Sequence, residues 1–136
     1  MGAWGELAFV NDTACDWAYD LEGVNDLSLV EAALGEVEAV GKDYLDSDLA
    51  CNALAACEVI ARLLGRPGYQ NSYTETVDKW VKAHKLKPSP ALVQRALGAI
   101  KRILGEDSEM RELWEEDGPN PEWRAAVEDL RKRVQG

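Results

Sequence analysis

Three aspartates, Asp12, Asp16 and Asp20, recur four residues apart near the start of the chain. Each i to i+4 step turns about 40° around a helix, so the three line one helical face. Carboxylates gathered in this way can bind Mg²⁺ or Mn²⁺, or raise one another's pKa for acid–base work. They can equally form a solvated stripe that docks a basic partner. An active metal centre would recruit carboxylates from a second helix, and none is identifiable from the sequence. His84 is the sole histidine, so acid–base work near neutral pH would turn to it first. It continues the apolar stripe Val77, Trp80, Val81, which argues for a structural role. No nucleophile motif, G-x-G-x-x-G or P-loop pattern accompanies these residues. No cofactor and no metal site are expected.

The three cysteines, Cys15, Cys51 and Cys57, lack framework spacing and form no C-x-x-C pair, so they are read as small buried thiols. Lys79, Lys82 and Lys85, with Lys87, Arg95, Lys101 and Arg102, could make one anion-binding patch on a fourth and a fifth helix. A solvated or internally paired face is the competing account. In ELWEEDGPNPEW, Trp114 and Trp123 flank an acidic, proline-rich turn. Buried, they are core; exposed, they are anchors for a protein partner.

The elements that must position these residues are helical throughout. Ala14, Trp17, Ala18 and Leu21 fall on one face of a first helix, with Asn11 or Asp12 as its N-cap. A second helix runs over about 27–40, closed by Gly41. The third, about 47–64, is apolar almost all round and rich in alanine, as a buried central helix must be. Its few polar members include Glu58 and Arg62, four apart in the order that favours an ion pair. Ser72 and Glu75 fit a capping box for the fourth helix. Ser89 and Pro90 open the fifth, Ser108 a short sixth, and Asn120 and Pro121 the last. No alternating strand pattern of useful length is present. The expectation is an all-α, single-domain bundle of six or seven helices spanning 1–136.

The opening MGAWGELAFVNDTACDWAYDL resembles a bacterial family known only as domain of unknown function 4259. Members begin Met-Gly-Ala-Trp-Gly, followed by Phe, Asn-Asp and Asp-Trp. Here those positions are Met1 to Gly5, Phe9, Asn11, Asp12, Asp16 and Trp17. The resemblance continues in LAACEVIARLLGRP at 54–67 and DSEMRELWEED at 107–117. Leu7 departs from it, since many members carry glycine there. The family implies no activity. Flanking glycines free the backbone around Trp4, so Trp4, Gly5 and Phe9 read as a structural plug tucked onto the core.

The chain carries 25 acids and 15 Lys or Arg, a net charge of −10. Residues 1–65 hold 13 of the acids and 2 of the bases, whereas 66–105 hold 2 acids and 8 bases. An acidic total disfavours nucleic acid and anionic membranes as partners and favours a basic protein. No run is long enough to span a bilayer and no secretory signal is present, so a cytoplasmic protein is expected. The leading functional expectation is a non-catalytic interaction module, akin to immunity or antitoxin proteins, that binds a basic partner. Its partner-contact candidates are Asp12, Asp16, Asp20, Trp114 and Trp123. The alternative is a small enzyme using carboxylates and a divalent metal.

Overall fold

The computed structural model describes residues 12–67 and 74–135, with side chains from residue 15 onward. Trp4, Gly5, Phe9, Asn11 and the plug they were expected to form lie outside the described residues, as do the Asp12 side chain and Ser72. The described residues form seven helices: α1 (Asp12–Leu21), α2 (Ser28–Val40), α3 (Ser47–Leu63), α4 (Glu75–Ala83), α5 (Pro90–Leu104), α6 (Glu109–Trp114) and α7 (Pro121–Gln135). They contain no strand, only an isolated parallel bridge between Leu45 and Ser108. The all-α reading of the sequence holds.

Local chemistry starts α3, α5 and α7 where the sequence placed their starts, whereas α4, expected to be capped by Ser72, begins at Glu75 with Thr74 at its N-cap and no side-chain cap bond. The Asp46 carboxylate accepts from the Asp48 amide at the head of α3 (2.7 Å). The Ser89 hydroxyl accepts from Leu92 N (3.1 Å), with Pro90 at the first helical position of α5. Asn120 accepts from Trp123 N (3.0 Å) at the head of α7. Each bond satisfies an amide that the helix itself cannot. The stops are local too: Gly41 and Gly65 take positive φ (60° and 82°), which L side chains rarely adopt.

α3 is the hub. Residues 53–62 are buried without interruption, and α1, α2, α4, α5, α6 and α7 all pack on it. Its alanines (Ala50, Ala53, Ala55, Ala56, Ala61) keep the hub thin and let the surrounding helices approach closely. Around it close Trp17 and Leu21 of α1, Val30 and Leu34 of α2, Val77 and Trp80 of α4, Ile100 and Ile103 of α5, and Trp123, Val127, Leu130 and Val134 of α7. Two loops are stitched by one side chain. The Arg102 guanidinium donates to the carbonyls of Gly41, Asp43, Glu106 and Asp107. That brings the α2–α3 and α5–α6 connections together at the Leu45–Ser108 bridge, where Leu45 N donates to Asp107 O (2.7 Å) and Glu109 N to Leu45 O (2.9 Å).

Candidate functional site

The apolar stripe of α1 fixes what its other side presents. With Trp17, Ala18 and Leu21 turned inward, Asp16, Tyr19 and Asp20 stand in solvent. Tyr19 is 66% exposed, the most exposed large hydrophobic side chain among the described residues. Asp16 and Asp20 flank it three residues before and one after in the helix. The turn after α1 adds Glu22 and Asp26, and the outer side of α2 adds Glu31, Glu36 and Glu38, followed by Asp43. Over residues 12–61 the only base is Lys42. Among the described residues, Arg95 is the only cation in a salt bridge with any of these eight acids, binding both oxygens of Glu38 (2.9 and 3.0 Å). Arg95 thereby holds the Glu38 carboxyl below its ordinary range. The Ser28 hydroxyl and amide do the same for Asp26. This is a one-signed, hydrated surface carrying one exposed aromatic ring.

The basic candidates divide. Lys79, Lys82 and Lys85 are exposed on α4 and just beyond it. The two arginines of α5 are committed elsewhere. Arg95 is committed to Glu38 and to the Glu31 carbonyl, and Arg102 to four loop carbonyls. α4 packs on α1 and α3, whereas α5 packs on α2, α3, α6 and α7. Internal acceptors therefore hold the two arginines, while Lys87 and Lys101 are exposed.

The two tryptophans of the acidic turn also divide. They stack with ring centroids 6.4 Å apart and planes 7° from parallel. Trp123 is 1% exposed and belongs to the core, so it offers no surface to a partner. Trp114 is half-buried and leaves one edge open. Beside it, a cleft of about 590 Å³ runs past Asp107, Ser108, Arg111, Glu112, Glu115 and Pro119. Glu115 is gripped there by Arg124 (2.7 and 2.8 Å), Arg111 (3.3 Å) and the Asn120 amide. The Arg124 hydrogen bonds lead in pulling the Glu115 carboxyl down to about 2. Tyr44 donates to Glu112 (2.9 Å) from across the loop contact.

His84 closes α4 as a structural group. Its ring stacks on Trp80 (4.6 Å between centroids), with Nδ1 3.0 Å from the Trp80 carbonyl and Nε2 3.2 Å from Asn25 Oδ1. Trp80 in turn donates from its indole to the Val24 carbonyl (2.8 Å). The pair pins the α1–α2 turn to α4. Of the cysteines, Cys51 and Cys57 are buried and Cys15 is half-buried. Among the described residues, no group of three or more His, Cys, Asp or Glu is arranged to hold a metal ion.

One cluster was only half visible in the sequence. Glu58, 1% exposed on the hub helix, receives Arg133 of α7 in a two-pronged pair (Nη1–Oε1 2.6 Å, Nη2–Oε2 3.0 Å). The i,i+4 partner Arg62 stands farther off, at 3.5 Å from Glu58 Oε1, and makes its short bond to Asp78 of α4 (2.6 Å). Thr74 donates to the other oxygen of Asp78 (2.8 Å). The i,i+4 spacing announced Glu58 and Arg62 as a pair. Nothing local in the sequence announces Arg133, 75 residues away.

The family model described as domain of unknown function (DUF4259) matches residues 2–126. The chain belongs to that family. The match spans α1 to α6 and the first six residues of α7, so the DUF4259 unit includes the acidic helices, the hub and the tryptophan stack. No curated protein and no solved structure matches the chain. No helix among the described residues is long and apolar enough to cross a membrane.

Proposed function

We propose that this DUF4259 protein is a non-catalytic interaction module that binds a basic protein through the outer faces of α1 and α2, in the manner of an immunity or antitoxin protein. The observation that carries the reading is the one-signed surface around Tyr19. From Asp16 to Asp43 the chain exposes eight carboxylates against one lysine. Uncompensated surface charge steers an oppositely charged partner and disfavours like-charged ones. An exposed tyrosine ring among carboxylates supplies what charge alone lacks. Its face attracts Lys and Arg, and its body contributes apolar area at small entropic cost. Asp16, Tyr19 and Asp20 are the contact residues of this reading.

The test is capture of the partner from host lysate by protein tagged at its C-terminus, at low and moderate salt, beside the charge-reversed variant Asp16→Lys/Asp20→Lys and Tyr19→Ala. All three positions are exposed, so the fold is expected to survive. The reading requires one basic protein in stoichiometric amount, lost in the charge-reversed variant and weakened by salt. Capture indifferent to both would sink it. Thermal stabilisation by Mn²⁺ or Mg²⁺ that depends on Asp16 and Asp20 would instead favour the carboxylate–metal enzyme.

A further inference from the structure

We propose that the buried Glu58–Arg133 pair is a registration device: it sets where α7 seats along the hub rather than how tightly it is held. α7 reaches the core through Trp123, Val127, Leu130 and Val134, one residue per turn. The hub it packs on is rich in alanine (Ala50, Ala53, Ala55, Ala56, Ala61), which offers few knobs. Hydrophobic burial is non-directional, so a stripe on such a surface tolerates a slide of one turn, about 5.4 Å. The ionic pair does not. A slide would leave Glu58 in the core without its two-pronged donor, with Arg62 at 3.5 Å as its nearest charge partner, which is a severe penalty for a desolvated carboxylate.

Two further contacts mark the same position. Arg133 Nη1 donates to the Arg66 carbonyl (3.2 Å), and Arg66 Nη1 donates back to the Arg133 carbonyl (2.9 Å). Arg133 Nε is held by Asp129 on its own helix (2.9 Å), which aims the fork at Glu58. Desolvation of the pair offsets most of its Coulombic gain, so uniqueness of packing is what it contributes.

The experiment compares the full chain with Glu58→Met, Arg133→Met and the double variant, by thermal unfolding and by amide and methyl NMR. Each single variant breaks the short two-pronged pair, leaving, among the described residues, Glu58 with only the more distant Arg62 or Arg133 with only Asp129 as charge partner, and is expected to lose about a hundredfold to several-thousandfold in folding equilibrium. The double variant restores an apolar contact of similar volume and is expected to return to within about tenfold of the parent. In it, the α7 amides and the Val127 and Val134 methyls should broaden or split, while those of α5 stay sharp. A double variant with one sharp set of α7 signals overturns the proposal. So does one that is no more stable than the singles, or that fails to fold, since the pair would then be a source of stability. Single variants as stable as the parent overturn it as well.

Discussion

Trp123→Ala and Trp114→Ala, made in one background, separate the two rings that the sequence presents as equivalent. Both lose the same stack, worth about 0.5–1.5 kcal/mol beyond burial. Only Trp123 also gives up a fully enclosed site, at 1% exposure among the residues of α3, α5 and α7. Truncating a buried tryptophan costs about 3–5 kcal/mol. Trp114 keeps an edge in water, so its truncation is expected to cost about 1–2 kcal/mol, mostly the stack and partial burial. For a chain of 136 residues, unfolding entropy scales so that each kcal/mol moves Tm by about 3.5 °C. The expected losses are therefore about 10–17 °C for Trp123→Ala and about 4–7 °C for Trp114→Ala. Far-UV circular dichroism is the suitable probe, since removing an indole changes the fluorescence baseline. The double variant should fall short of the sum by about 0.5–1.5 kcal/mol, the stack counted once. Equal losses from the two single variants would refute the division into core and edge. A strictly additive double variant would refute the stack.

Three further outcomes follow from the same geometry. The Glu115 carboxyl is held at about 2 against an ordinary 4.5, first by its hydrogen bonds to Arg124. Its contribution is present above about pH 4.5 and is lost as pH falls towards 2. Glu115→Gln should flatten the acid limb of stability in that window, and high salt should shrink the difference because both arginines are over a third exposed. Gly98 lies inside α5 where a Cβ would meet nothing within 4 Å, so Gly98→Ala should raise Tm by about 2–4 °C through the helix-propensity difference alone; no gain would mean the site is not open. Burial pushes the Cys51 thiol up to about 12 and Cys57 higher still. A thiol-labelling reagent at pH 8 should therefore find one fast site in the native protein, Cys15, and three after denaturation.

The starts of α5, α6 and α7 and the stop of α2 were legible because caps are local chemistry, whereas α4 starts at Glu75 and not behind a Ser72 cap. A Ser, Asp or Asn side chain satisfies amides two or three residues on, and a proline or glycine acts where it stands. Thus Ser89–Pro90, Asn120–Pro121 and Gly41 mark boundaries in the sequence and in the fold alike. The hub was legible for a similar reason, since a helix apolar on nearly every side can only be buried. Which arginine meets which acceptor was not. Arg95 and Arg102 look like surface bases in a run of positive residues, yet both are consumed by groups about 60 residues away. Glu58 looks like half of an i,i+4 pair, yet its principal partner is Arg133.

By itself, then, the sequence determined the helices, the buried hub, the family and the acidic bias of the first half, because each depends on residue type and short-range spacing. The tertiary structure alone decided which tryptophan is core and which charges are spent inside the molecule. Those outcomes depend on which helices become neighbours, and a long flexible guanidinium bonds whatever carbonyl or carboxylate the packing brings within its reach.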